Sequence, residues 1–410
     1  MAAVDELLAA YREVLNIPES CENVVRIPFA TLLGFRFGGI APWLYVIGAS
    51  GGMKSTILRS MRAIPDVLVG GEYMGAGAIV SGYVGPALRK AREKARKDPS
   101  KTGKLPLVEG SPYSLASYLN GRCWIIHDFT QFTGNDRNST ARLQGTLRIL
   151  YDGEQVGKFG NDEGAGAVYK AHFSLIAGVT PEVDRFRSSQ SPLGERFVGF
   201  RFHQPSHEDA RAAVSAAIQG GDRRWMDALP DRIAAILARV PRIPLREIIF
   251  PEGITDRIVG LSICAAWLRT TPSKTYRGSI PEYEYSPVPE RGTRVGKQIA
   301  LITAGHAILS GRTSVTEEDV ERVARELAWG SVPQRVLSIT EAVYKRKVAS
   351  TVAISEDVRL PSETVRSVCD DLGILGVFQK MTVDRYRCYS LADDFKDIAE
   401  PCRFFREDHP

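Results

Sequence analysis

A chain of 410 residues and 45.1 kDa has the length of roughly two to four domains. With 44% hydrophobic and 25% charged residues it has a globular composition, which excludes disordered and fibrous classes. Lys and Arg exceed Asp and Glu by 53 to 48, but the excess is local: residues 89–104 hold eight basic residues against Glu93 and Asp98, a net +6 that leaves −1 for the rest. Cys21, Cys123, Cys264, Cys369, Cys388 and Cys402 lie far apart without a C-x-x-C pair, which argues against a structural zinc site and a disulfide scaffold. The start, MAAVDELLAAYREVL, is an acidic amphipathic helix pattern rather than a signal peptide, and no apolar run has the length of a membrane span. The expectation is a reducing cytoplasm and no membrane partner.

Four regions follow in order. Residues 1–40 read as a helical lead-in. Residues 41–205 alternate helices and glycine-rich loops with apolar runs at 43–47, 123–126, 172–179 and 197–202, a pattern that predicts an α/β fold with a mostly parallel sheet. Residues 206–330 read as helical, with helices predicted over 232–240, 257–269 and 296–309 and a polar, Pro-rich interruption at 271–290. Thr316 is placed to cap a further helix whose first turn carries Glu317, Glu318 and Asp319. Residues 331–410 read as a small separate domain.

The strongest chemistry lies at Gly48-Ala49-Ser50-Gly51-Gly52-Met53-Lys54-Ser55-Thr56, between an apolar strand and a helix with Ile57, Leu58 and Met61 on one face. This is the context of a phosphate-binding P-loop, in which backbone N–H groups of the turn and helix start cradle phosphates. Lys54 then reaches the β- and γ-phosphates of ATP, and the Ser55 hydroxyl ligates Mg²⁺. The strict pattern has glycine where Met53 stands; the plain alternative is a tight turn with a solvated lysine. Such a loop needs an acid on a neighbouring strand, and the run Cys123-Trp124-Ile125-Ile126-His127-Asp128 ends in one. Asp128 is therefore the candidate for holding the metal, activating water, or both, against the reading of a loop-start cap. The usual ending is two acids, and here His127 precedes a single one.

These residues resemble the minichromosome maintenance (MCM) AAA+ helicases, whose phosphate loop also carries a non-glycine residue before its lysine. The segment from Arg148 to Lys158 resembles their helix running into a pre-sensor hairpin. Leu175-Ile176-Ala177-Gly178-Val179-Thr180-Pro181 resembles their sensor strand, with Thr180 in place of asparagine. Leu193-Gly194-Glu195-Arg196-Phe197 is similar to the segment bearing the arginine finger, and Thr293-Arg294-Val295 to the second sensor. The nearest likeness is to MCM-like ATPases of phages and mobile genetic elements. The resemblance implies an AAA+ αβα sandwich (41–205) with a helical lid (206–330) and a winged-helix domain (331–410). It also implies an ATP- and Mg²⁺-dependent DNA translocase, a ring-forming replicative helicase with Thr180, Arg196 and Arg294 as catalytic residues.

An arginine finger acts in a neighbour's site, so Arg196 implies a head-to-tail oligomer, a hexamer by analogy with the family. The expected partners are single-stranded or forked DNA, further copies of the chain, and a replication initiator or other replication protein. Lys158 beside Phe159 offers a cation for phosphate and a ring for stacking, or an ordinary hairpin tip. The glycine-rich stretch at 70–85 sits where the family inserts a pore loop, and the basic segment after it, with Lys94, Arg96 and Lys97, either grips phosphates or is a solvated helix. In the C-terminal region the second helix, opening at 361–366, offers Ser362, Thr364 and Arg366 as contacts, with a two-stranded wing predicted from 376–380 and 385–391. Its nine basic and nine acidic residues over 331–395 lend duplex binding no general support, and protein docking is an equal alternative. Two other functions compete: an ATP-dependent loader acting on a partner protein at DNA, and a winged-helix regulator with a weak ATPase switch. Replacing Lys94, Arg96 and Lys97 with Gln should flatten the salt dependence of single-strand binding, measured by fluorescence titration; an unchanged slope returns the segment to solvent.

Overall fold

Five short apolar runs assemble the centre of the protein. The structure, a computed structural model, describes residues 2–15, 17–51, 53–70, 79, 108–109, 114–129, 145–158, 166–185, 196–202, 208, 211, 224–277, 280–283 and 287–405. Strands β1 (Trp43–Ile47), β2 (Val67–Val69), β4 (Cys123–Ile126), β7 (Ser174–Val179) and β8 (Val198–Arg201) form one sheet in the order β2-β4-β7-β1-β8, with every pairing parallel. A parallel sheet must be covered on both faces, and β1, β4 and β7 are buried along their whole length. Alternate residues feed two separate cores. Leu44, Val46, Cys123 and Ile125 pack on one face, and Trp43, Tyr45, Ile47, Trp124 and Ile126 on the other. The result is a mixed α/β architecture around a parallel sheet.

The first layer contains α1 (Ala3–Leu15), α2 (Asn23–Arg36) and α3 (Lys54–Ser60). On the other face lies α4 (Leu115–Leu119), with Leu147 and Leu150 from the helix at 145–151. A smaller sheet joins β3 (Val108–Glu109) to the hairpin of β5 (Glu154–Lys158) and β6 (Gly166–Lys170). The helical region comprises α5 (Arg224–Ala238), α6 (Glu252–Arg269) and α7 (Thr293–Leu309). Glu317–Asp319 (α8) continues through a π-helical stretch at Val320–Ala324 into Arg325–Gly330 (α9). All six cysteines are buried free thiols. Among the described residues no helix is long and apolar enough to cross a membrane.

The polar interruption at 271–290 contains a hairpin, β9 (Lys274–Arg277) and β10 (Ile280–Tyr283). Beyond it come α10 (Gln334–Arg346), β11 (Ala349–Ser350), α11 (Thr351–Val358), α12 (Ser362–Ile374), β12 (Phe378–Val383), β13 (Tyr386–Leu391) and α13 (Asp393–Ala399). The last three strands pair antiparallel in the order β11-β13-β12. Strand β12 runs three residues farther toward the turn than predicted, because only Asp384 and Arg385 turn the chain. Both have positive φ (48° and 68°), as a two-residue type I′ hairpin turn requires.

The lead-in is built into the core. Helix α2 crosses α7 so closely that a Cβ on Gly305 would stand 2.0 Å from the Ala30 carbonyl oxygen. A chain of buried polar groups spans the crossing. Arg26 donates to Glu22 (2.8 Å) and lies 3.5 Å from His306 Nε2, while His306 Nδ1 is 2.7 Å from Asp319. Arg312 donates to both Asp319 oxygens (2.6 and 2.9 Å). Thr316 caps α8 as predicted, and Asp319 closes the reciprocal capping box.

Burial alone would raise the Asp319 carboxyl, but bonds from His306, Arg312 and the Thr316 backbone hold it well below the usual range. A carboxyl depressed on folding contributes stability above its unfolded value and loses it as the pH falls toward the folded one. Asp319→Ala should therefore cost about 3–5 kcal/mol in urea unfolding at pH 7, because it leaves the buried His306 and the partly buried Arg312 without their acceptor. The difference from wild type should shrink on acidification below about pH 4.

Candidate functional site

Strand β1 ends at Ile47, and the chain turns at once over the C-terminal edge of the sheet. Gly48 N donates to Val179 O (3.1 Å) and Phe202 N to Ile47 O (2.7 Å), so both neighbouring strands hold the base of the loop. Gly51 takes φ 79° and Met53 φ 23° before α3 begins at Lys54. The position where the strict pattern has glycine thus lies in backbone space that side chains disfavour, at a cost of roughly 1–2 kcal/mol for methionine.

The loop opens on a cleft of about 310 Å³. Ser50, Gly51, Met53, Lys54, Ser55 and Thr56 line it from the loop and α3; Asp128 and Thr180 reach it from β4 and β7. Gly48 lies at the base, where an added Cβ would be 3.2 Å from Phe202 Cβ. Lys54 Nζ donates to the Gly48 and Ala49 carbonyls (2.7 and 2.6 Å), which keeps the ammonium over the loop. Burial lowers the Lys54 pKa, and the charge of Asp128 opposes the shift. Gly52 lies outside the described residues.

Strand order explains how distant residues meet. β7 stands between β1 and β4, so Thr180, one residue past its end, comes between the loop and Asp128. The approach of β4 to β7 is tight: a Cβ on Gly178 would lie 2.4 Å from His127 O, while Phe129 N donates to Gly178 O (2.8 Å). Ser55 Oγ donates to His127 O (3.4 Å), and the Arg59 guanidinium bonds the His127 ring. His127, Gly178 and Val179 line the cleft without having been singled out as site residues; adjacency to Asp128 and Thr180 was the available signal.

The two arginines lie elsewhere. Leu44 pairs with Val198, which puts Arg196 level with Pro42, at the edge of the sheet opposite Gly48. Six residues of strand separate these levels, roughly 20 Å. Arg196 lies 3.5 Å from Asp152, with its side chain 14% exposed. Gln298 Nε2 donates to Arg196 O (2.8 Å), and Trp43 N donates to Gln298 Oε1 (2.7 Å), so the first turns of α7, including Arg294, share that edge. Burial pushes the nearby Tyr151 phenol up to about 12, against the charges of Arg294 and Arg196. Arg269 holds the segment through Glu290 (2.7 and 2.8 Å) and Phe197 O (3.2 Å).

Of the expected DNA contacts, Arg366 is exposed on α12, 3.9 Å from Asp370. Lys158 ends β5, whereas Phe159, Lys94, Arg96 and Lys97 lie outside the described residues, as do most of the 70–85 stretch and the whole 89–104 segment.

Ser55 hydroxyl and Asp128 carboxylate oxygens on one cleft are donors that suit Mg²⁺, which keeps several water or phosphate ligands besides. Among the described residues no group of three or more His, Cys, Asp or Glu side chains forms a protein-only metal cage. Gly178→Ala should push the end of β4 away from β7. The expected result is a fall of at least about tenfold in nucleotide-dependent turnover, with a smaller change in binding of a fluorescent ADP analogue.

No family profile and no curated protein matches the chain. Among solved structures it is similar to a protein provisionally described as an ATPase from Cytophaga hutchinsonii, with 12% identity and a TM-score of 0.40 over 87% of this chain and 96% of that one.

Proposed function

We propose that the chain hydrolyses ATP as a head-to-tail oligomer and uses the cycle to move along DNA, as a replicative helicase of a phage or mobile element. One relation carries the oligomeric part of this reading: the phosphate loop and the two candidate arginines lie at opposite edges of one parallel sheet. Within one chain neither arginine reaches the loop's phosphates. Stacked head to tail, one copy presents Arg196 and Arg294 to the cleft of the next, and such an interface closes a ring or winds a filament.

The residues divide the chemistry as follows. Loop amides and Lys54 bind the phosphates, Lys54 exchanging the Gly48 and Ala49 carbonyls for the β- and γ-oxygens. Ser55 and Asp128 would hold Mg²⁺, which neutralises phosphate charge when bound. Asp128 orients the attacking water and accepts its proton, and the Thr180 hydroxyl hydrogen-bonds the same water. Arg196 leaves Asp152 for the γ-phosphoryl group of the neighbouring site and stabilises charge developing there, an effect of about 10³–10⁵ in rate. Arg294 follows it from the same edge.

For DNA the support is architectural. The β5–β6 hairpin falls in the segment for which the MCM-like resemblance implies a pore hairpin, and the C-terminal order of helix, strand, two helices and hairpin is compatible with a winged helix, with Arg366 exposed on the helix before the hairpin. In this reading forked or single-stranded DNA threads a ring, a hexamer by family analogy, with a replication protein as loader.

Arg196→Ala and Lys54→Ala should each lose ATPase activity by at least about 10³-fold. Mixed at equal amounts they should regain it, because about a quarter of random interfaces combine an intact loop with an intact arginine. No recovery would overturn trans supply. ATP-dependent displacement of a forked strand by wild type and not by Lys54→Ala tests the helicase; activity only with a partner protein would favour a loader.

A further inference from the structure

His127 lines the cleft at the position where phosphate-binding strands with paired acids carry the first carboxylate. Alternation along β4 decides which way it faces. Cys123 and Ile125 share a core with Ile57 and Leu58 of α3, whereas Trp124 and Ile126 face the other layer. His127 continues the first set and Asp128 the second. The contacts agree, because the His127 ring Nε2 is hydrogen-bonded to Arg59, four residues after Ser55 on α3.

A guanidinium has only donors and keeps its charge, so the Nε2 lone pair accepts from Arg59. That lone pair is engaged by Arg59 and turned toward α3. The same residue is tied to α3 a second time through its backbone, with Ser55 Oγ donating to His127 O (3.4 Å), and it is backed by Gly178 of β7. The last residue before Asp128 is thus fixed to the helix that carries Lys54 and Ser55.

On the ATPase reading given above, we infer that His127 is a positioning residue: with Arg59 it clamps the end of β4 to α3 and sets Asp128 against Lys54 and Ser55. The cleft accordingly offers one carboxylate to a metal, and a hydrogen-bonded strut stands where the usual pair has its first acid.

The test compares wild type, His127→Ala, Arg59→Ala, the double variant, His127→Gln and Lys54→Ala. Arg59 is exposed, so its truncation leaves the core intact. Two measurements are made on each: steady-state ATP hydrolysis over a range of Mg²⁺, and binding of a fluorescent ADP analogue with and without Mg²⁺. Positioning predicts kcat lowered by about 10–100-fold in both single variants, with KM and half-saturating Mg²⁺ within about twofold of wild type. The double variant should be no worse than the poorer single one, since both remove one contact. His127→Gln, whose amide oxygen can accept from Arg59, should recover most of the rate. A rise of about tenfold or more in half-saturating Mg²⁺ for His127→Ala, with Arg59→Ala unaffected, would make His127 a metal ligand and overturn the proposal. Variants as active as a working wild type would overturn it alone; wild-type hydrolysis no faster than Lys54→Ala would overturn the ATPase reading and this role together.

Discussion

The insertion of β7 between β1 and β4 is the constraint on which the rest of the cleft depends. Parallel pairing aligns the C-terminal ends of all three strands, so a loop, a carboxylate and a hydroxyl from widely separated sequence positions meet at one edge. The pairing at that edge leaves no room for a side chain on Gly178, whose missing Cβ lets the His127 carbonyl approach. A side chain at Gly178 would meet main chain there, and a main-chain clash has no rotamer by which to relax.

The same alignment that gathers one set of groups keeps the other away. Because β8 runs parallel to β1, the residue before its start lies at the far edge, and so does the helix start held there through Gln298. On the proposed reading, an isolated chain carries half of an arginine-assisted site at each end of its sheet. Association would then switch the chemistry on, since the transition-state charge finds its cation only across an interface.

The lead-in helices tie this core to the helical region. Tyr11 of α1 bonds Ser60 at the end of α3, α2 crosses α7 at Gly305, and a chain of mostly buried polar groups runs from Glu22 through Arg26, His306 and Asp319 to Arg312. Farther along, Lys274 and Tyr283 of the β9–β10 hairpin both bond Asp371 of α12 (2.8–3.0 Å). The helical region is therefore tied to both ends of the described chain, and a buried network of this kind is costly to break.

By itself the sequence determined the elements whose signals are local. Trp43–Ile47 and Cys123–Ile126 stand where their apolar runs placed them, the glycine-rich turn leads into α3 at Lys54, and Thr316 caps its helix. Each rests on periodicity, capping or turn chemistry within a few residues. The two-residue turn at Asp384-Arg385 was missed, because neither residue is a glycine or asparagine that would mark positive φ. Only the tertiary structure decided the strand order, the role of Gly178 as a point of contact, the clamp between Arg59 and His127, and the place of Arg196 and Arg294 at the opposite edge. Those are relations between segments up to a hundred or more residues apart. They are set by which strand pairs with which, and hydrophobic pattern marks a strand as buried without naming its neighbour.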